Sequence, residues 1–379
     1  MAHADLIGVV GGGLAGLAAA ARLARVGHQV VVWEADPVLG AGVEAATEPG
    51  EEVLALPAAW RDLFRKSGRI LDAELAGRGL RLVPAPPRHF RFADGTELDL
   101  PTERGEQWDV LVGTGTRAEA IAWRDLVDGL GDVWQVMRRT GLEAEFAGRP
   151  AFDREMRATL RPRRSMTQLA GTLPSDRLGE LVLDVAARLG QDPSRLPGWH
   201  AHRLYVERTF GRWHVVDAED RPRPASVLVD LLVERLHHRG VDLRPGVEVL
   251  AIRREAGRVL VRTTEGDAHP DRVISTVSPA THGLLTRDRA DLRLANRLRP
   301  AAVEGPLWET WRTLLELPRL SSGLPDVLVA SAWSVGGSDP WAQLLTGALA
   351  AYRVHFELTG EDIRPVNDPR KRRAGQDTP

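Results

Sequence analysis

The chain has no cysteine among its 379 residues, which excludes disulfides, thiol redox chemistry and cysteine-ligated zinc or iron–sulfur sites. That absence fits a cytoplasmic protein. Lysine is almost missing, so arginine supplies nearly all the positive charge, a bias that reads as coding preference rather than chemistry. The formal net charge is −2 with histidine neutral, and nothing global points to nucleic acid. No apolar run reaches the roughly 18 residues that a membrane-spanning helix needs. The apolar stretch Leu6 to Ala21 lacks a basic leader and carries glycines at functional spacing, so it reads as fold and not as a targeting signal. No internal repeat is apparent.

What is present is concentrated in residues 7–34, IGVVGGGLAGLAAAARLARVGHQVVVWE. An apolar run ends at Gly11, Gly13 and Gly16 in G-x-G-x-x-G spacing. An alanine-rich helical stretch follows, then a second apolar run that closes on Glu34. In such a unit Gly11 permits a tight turn, Gly13 admits a pyrophosphate to the backbone, and Gly16 lets helix and strand pack closely. The N–H groups of Leu14 and Ala15 open the helix, where unpaired donors and a partial positive charge suit a diphosphate. Glu34 lies 18 residues after Gly16, the place for a carboxylate that accepts from a ribose diol. With Asp36 close behind and no arginine beside it, that acid disfavours a 2′-phosphate. FAD or NAD is expected over NADP.

Further along, residues 54–68 read as a helix starting at Pro57, with Trp60, Leu63 and Phe64 on one face. Leu80 to Val83 and His89 to Phe92 read as strands, and Ala93-Asp94-Gly95-Thr96 as a hairpin turn. Arg117 to Leu189 is mostly helical in pattern. The α/β alternation returns with a helix over Ser226 to Arg239 and strands near 241–243, 247–253, 259–263 and 272–276. Residues 279–325 read as irregular, Asp326 to Ala332 as a strand, and Pro340 to about Leu358 as a helix with Asp339 as its cap. The tail after Arg364 is polar and reads as disordered.

Beyond the N-terminal unit, several stretches resemble FAD-dependent oxidoreductases of the phytoene desaturase and amine oxidase type. LALPAAWRDLFRKSGR followed by FRFADGTELDLP is similar to the segment after their FAD fingerprint, and YVERTFGRWHVV to their passage before the second nucleotide block. VLVDLLVERLHHRGVDLRPGVEVLAIRREAGRVLVRTTEG resembles their helix–strand–hairpin unit, and DVLVASAWSVGGSDPWAQLLTGALAAYRV their last strand, glycine turn and helix. The resemblance implies an α/β fold: a Rossmann-like FAD-binding domain of the glutathione-reductase type with an inserted mixed α+β substrate domain. The FAD-binding part is expected from 1–75, 200–278 and 326–360, and the substrate or cap part from 76–199 and 279–325, with 364–379 as a tail. It implies FAD as cofactor, with Val249 holding adenine through its backbone and Gly336, Gly337 and Trp341 near the flavin. Ala35, Gly40 and Gly42 complete the expected cofactor-binding set. Where the family usually has Gly-Gly-Arg, this chain has Gly40-Ala41-Gly42-Val43, and it is shorter than many relatives.

The chemistry in such proteins belongs to the flavin, so no catalytic residue is assigned. His214 is a candidate near the site, against the plainer alternative of a strand histidine. Trp213, Trp308, Trp311, Trp333 and Trp341 are candidate pocket walls or core residues. His237-His238 and His200 with His202 lack metal spacing and read as solvent-facing, and no metal is expected. The expected function is an oxidoreductase of desaturase or dehydrogenase type taking hydride from an apolar small molecule, such as a polyene, terpenoid or secondary metabolite. The alternative is a catalytically reduced dinucleotide-binding relative serving as a subunit or scaffold. Peripheral membrane contact, a protein partner and a homodimer stay open, and a nucleic-acid partner is not expected.

Overall fold

The computed structural model describes residues 5–40, 43, 53–146, 148, 152–302 and 320–364. In chain order the strands are β1 Leu6–Val10, β2 Gln29–Glu34, β3 Leu54–Ala55, β4 Arg81–Pro84, β5 Arg88–Arg91, β6 Glu97–Leu100, β7 Arg212–Val216, β8 Pro222–Arg223, β9 Asp242–Pro245, β10 Val249–Glu255, β11 Arg258–Thr263, β12 Gly266–Ala268, β13 Arg272–Ser275 and β14 Val327–Val329. The helices are α1 Leu14–Arg25, α2 Ala58–Ser67, α3 Leu71–Ala76, α4 Arg104–Thr114, α5 Arg117–Gly141, α6 Arg154–Leu160, α7 Met166–Ala170, α8 Asp176–Arg188, α9 His202–Phe210, α10 Ser226–His238, α11 Pro279–Thr286, α12 Arg289–Ala302 and α13 Pro340–Thr359.

A five-stranded parallel sheet in the order β14-β13-β1-β2-β9 forms the frame. Its central strands are near-continuous apolar runs, as a sheet covered on both faces requires. Ile7, Val9 and Val32 are fully buried beneath α1. The alanines of α1 keep the helix thin, so that α13 crosses it closely: a side chain at Gly347 would meet the Ala15 carbonyl oxygen at 2.2 Å. The antiparallel meander β10-β11-β12 packs over the opposite face through Val249, Ile252 and Val261 against Val10, Val31 and Trp33.

A second core is built from residues of β5–β6 and the helices between Arg104 and Phe210, with Trp123, Met166 and Trp199 among its fully buried side chains. The sheet β3-β7-β4, to which β8 adds, packs on the first core through Leu54, Leu82 and Val215.

The expected helix after Pro57 runs over Ala58–Ser67, closes on left-handed Gly68, and buries Trp60, Leu63 and Phe64 together. The hairpin at Ala93–Thr96 joins β5 to β6 as read from the sequence. Two expectations are corrected. Residues 279–302 are not irregular, because Ser278 caps α11 through the Thr281 N–H at 3.1 Å, and Pro279 supplies the first helical turn without losing a needed donor. Ser278 and Pro279 read as breakers when they in fact start a helix. The Asp339 side chain does not cap α13; it is turned onto Arg203 instead. The expected tail beyond Arg364 lies outside the described residues.

Candidate functional site

The turn between β1 and α1 is shaped by its glycines. Gly11 adopts φ +104°, left-handed backbone that a side chain strongly disfavours, and its N–H donates to the Trp33 carbonyl at 2.8 Å. A Cβ at Gly16 would lie 2.1 Å from the Gly11 carbonyl oxygen, so only glycine lets the helix sit this close to the turn. A Cβ at Gly13 would meet nothing within 4 Å. That asymmetry separates the two tight positions from the open one. The helix starts at Gly13 with no side-chain cap, and the first-turn N–H groups have no intrahelical acceptor. Leu14 and Ala15 bury their side chains, so only their backbone is available to the turn.

Glu34 ends β2 beside this loop. Its carboxylate accepts from the Gly12 N–H at 2.5 Å and the Asp36 N–H at 3.0 Å. One bond on each oxygen leaves further lone pairs for a diol. Gly40 joins the same corner by donating to the Gly12 carbonyl at 2.9 Å, while Ala35 is exposed just past the acid. Gly42 lies outside the described residues. Thr276, which sequence reasoning missed, clamps the turn from β13: its hydroxyl donates to the Val10 and Gly11 carbonyls at 3.1 and 2.9 Å. A hydroxyl one residue beyond a buried strand carries no pattern that marks it in advance.

Val249 opens β10 with its side chain buried against the parallel sheet. The Gly246 N–H donates to the Asp36 carbonyl at 3.0 Å, which brings the approach to β10 to the Glu34 end of β2. Gly11, Gly13, Gly16, Glu34 and Gly40 therefore meet at one corner, with the Val249 segment joined to it.

Gly336 and Gly337 form a different environment. A Cβ at Gly336 would meet Leu142 Cδ2 at 2.7 Å and the Gly141 carbonyl at 3.1 Å, so this turn is pressed onto the end of α5. Trp341 is 4% exposed and meets Trp134 edge-on at 5.4 Å between ring centroids. The structure thus places the ring in the core. The two turns are linked through α13, whose Gly347 touches Ala15 of α1.

Beneath the second turn lies a buried polar network. Arg203 grips Asp339 through Nε and Nη2 at 3.2 and 2.6 Å and meets His200 Nδ1 at 2.8 Å. His202 bonds the Trp199 carbonyl through Nδ1 at 2.8 Å and stacks on Trp134. The expectation that His200 and His202 face solvent is corrected: both are buried, at 1% and 3% exposure. The period of α9 and the turn before it puts them inward with Trp199. Burial, then the neighbouring Arg203, holds His200 well below the ordinary imidazole range and His202 at about 4.

The other candidates take structural places. Trp213 donates from its indole to the Phe210 carbonyl at 2.7 Å, under the Arg61 guanidinium. His214 sits mid-strand opposite Val83, and Trp333 is half-buried with its N–H on the Ser331 hydroxyl. Trp308 and Trp311 lie outside the described residues. A Ser–His–Asp chain also occurs: Ser275 Oγ meets His282 Nδ1 at 2.9 Å, and His282 Nε2 meets Asp291 at 3.3 Å. All three are buried, so no substrate carbonyl reaches Ser275, and the chain ties α11 and α12 to β13.

A family model for the NAD(P)-binding Rossmann-like domain matches residues 9–73, the span containing the glycine turn and Glu34. The chain is 30% identical over 320 residues to the hydroxyneurosporene desaturase of Cereibacter sphaeroides, covering 79% of this chain and 62% of that protein. It is 27% identical over 350 residues to the all-trans-zeta-carotene desaturase of Myxococcus xanthus, covering 87% and 64%. This chain therefore spans somewhat under two thirds of the length of these relatives. Among solved structures, cyclohexylamine oxidase from Brevibacterium oxydans superposes with a TM-score of 0.56 at 14% identity, covering 94% of this chain and 100% of that one. At that identity the likeness concerns the fold.

Proposed function

We propose that the chain is a member of the phytoene desaturase and flavin amine oxidase superfamily, and that it is an FAD-dependent oxidoreductase of desaturase or dehydrogenase type acting on an apolar polyene or terpenoid. The observation that carries this reading is the corner where Gly11 and Gly16 are closed by protein while Gly13 faces open space beside Glu34. A diphosphate needs that arrangement: backbone donors reachable at one glycine and a diol acceptor one strand away.

The residues fit FAD as follows. Gly13, Leu14 and Ala15 would meet the diphosphate with backbone N–H groups, and Glu34 would hold the ribose. The backbone of Val249 would face adenine, and the segment from Gly336 to Trp341 would border the flavin end. When bound, FAD supplies the two-electron acceptor for oxidation of the substrate. The protein's part is to bind, orient and keep water out. Residues 1–75, 200–278 and 326–360 would carry the cofactor, and 76–199 with 279–325 the substrate. The separate core, drawn mostly from residues 92–199, supports that division in outline, with Ala201, Leu204, Tyr205 and Val335 of the cofactor ranges packed into its edge.

Two sequence relatives are named as desaturases of hydroxyneurosporene and all-trans-zeta-carotene, and this favours a polyene over a polar amine. Polyenes dissolve in bilayers, so peripheral contact with a membrane belongs to the same proposal. Among the described residues no helix is long and apolar enough to cross one.

The absorbance spectrum of the purified protein, with release and identification of any bound nucleotide, tests the cofactor. Yellow protein yielding FAD is expected. Colourless protein that fails to take up added FAD overturns the proposal. Anaerobic bleaching on addition of solubilised polyenes tests the activity; bound flavin that no polyene bleaches would identify a catalytically reduced relative instead.

A further inference from the structure

Most arginines of known environment in this protein are matched to carboxylates: Arg61 to Asp72, Arg104 to Asp128, Arg188 to Asp184 and Glu207, Arg262 to Asp267. One cluster is not. A surface cavity of 560 Å³ between α6 and α7 is lined by Arg157, Arg161, Arg163 and Arg164, together with Phe152, Pro162 and Gln168. Among the described residues none of these four guanidinium groups meets a carboxylate. Arg157 Nε donates to the Asp153 carbonyl at 3.0 Å and Arg164 Nη2 to the Thr172 hydroxyl at 2.8 Å. On the same helix, Asp153 spends its carboxylate on the Met156 N–H at 2.8 Å, capping α6, and Glu155 in the first turn makes no ion pair with these arginines among the described residues.

The frame under the cluster is fixed. Arg161 ends α6 in left-handed backbone at φ +46°, its N–H bound to the Arg157 carbonyl at 3.0 Å. The Arg164 N–H donates to the Arg161 carbonyl at 2.9 Å, and the Arg164 carbonyl accepts from Gly198 N–H at 2.7 Å. The bridge between Ser165 and Pro197 holds the far end. Four like charges are thus gathered on a folded loop with no carboxylate partner among the described residues, an arrangement whose mutual repulsion an anion would relieve. Partial burial and the neighbouring Arg161 weaken the hold of Arg164 on its proton, as such crowding requires.

We propose that this cavity is an anion site for a phosphate-bearing ligand carrying more than one negative charge. Planar guanidinium forks match phosphate oxygens in pairs, and a single carboxylate would leave most of the positive charge unmet. Phe152 and Pro162 give the cavity an apolar wall beside the arginines, which suits a phosphate attached to an apolar body. The site is separate from the glycine turn at 11–16 and does not rest on the flavin proposal.

Equilibrium dialysis of the full chain against inorganic diphosphate, with excess FAD present to occupy the glycine turn, provides the test. One saturable site is expected, weakened about tenfold or more in Arg161→Gln/Arg164→Gln and unchanged in Arg262→Gln. Sedimentation with phosphatidylcholine vesicles, with and without phosphatidylglycerol, separates the sources. Binding of diphosphate identifies a soluble ligand. Binding only to the anionic vesicles, lost in the double variant, identifies a lipid headgroup. Wild-type protein that binds neither, or a double variant that binds as well as wild type, overturns the proposal. Should the double variant fail to fold by circular dichroism, the exposed single change Arg163→Gln carries the same comparison, with a weakening of about threefold expected.

Discussion

Two turns in this molecule look alike as sequence: glycines at 11, 13 and 16 around the start of α1, and glycines at 336 and 337 before α13. They differ in what a side chain would meet. The first has an open position at Gly13, whereas Gly336 is packed against Leu142 and Gly141 of α5. The first is bordered by one part-buried acid; the second rests on the buried His200–Arg203–Asp339 network. A glycine before a helix marks a close approach. Whether the approaching body is a ligand or the protein itself depends on the third dimension.

The largest expected effect comes from the closed positions around the first turn. Gly16→Leu would drive Cβ onto the Gly11 carbonyl oxygen, a backbone atom that cannot swing aside. A loss of more than about 4 kcal/mol is expected, read as insoluble protein or a collapsed denaturation midpoint. Gly347→Leu should follow closely, because it forces α13 off the Ala15 carbonyl. If either variant melts like the wild type, tight packing does not explain those glycines.

Acid should separate the turns next. His202 is held at about 4 in the folded protein, against an ordinary value of 6.5, so the unfolded chain takes up its proton first. Its contribution to stability is full above about pH 6.5 and is lost progressively as pH falls toward 4, amounting to about 3 kcal/mol. His200, shifted the same way, deepens the loss. Denaturation midpoints measured across that range should fall steeply, and His202→Phe should flatten the slope, since the phenyl ring can keep the stack on Trp134. Hydrogen exchange should show loosening at α13 and α9 before α1. A first turn that opens earlier would contradict this difference.

Much of this was legible in the sequence, and for definite reasons. The parallel strands, α1 and α2 announce themselves through unbroken apolar runs, helical spacing and glycine stops, all of them local signals. Gly11, Gly13 and Glu34 belong together because their spacing fits one strand–turn–helix–strand unit. The histidines at 200 and 202 were not legible, since inward or outward facing depends on how α9 meets α5 and α13. Asp339 was misread for a related reason: it sits at a cap position, but Arg203, 136 residues away, competes for its carboxylate. Thr276 and the Ser275–His282–Asp291 chain depend on contacts between β13 and distant segments, which leave no periodic trace.

Gly336→Ala should cost about 1–2 kcal/mol, because the closest atom it meets is the flexible end of Leu142, which can give way. Gly13→Ala should cost least, under about 1 kcal/mol, since φ −73° suits alanine and its Cβ enters open space. That same methyl group would stand where the proposed diphosphate approaches the backbone. Stability and cofactor affinity should therefore part company at this residue alone: a near-normal melting curve for the apoprotein, with FAD binding weakened about tenfold or more, equivalent to about 1.4 kcal/mol. Fluorescence titration with FAD reads the second quantity. An alanine variant that binds FAD normally would mean that the open space above Gly13 is not where the diphosphate lies, and the contrast between the two turns would lose its functional meaning while keeping its structural one.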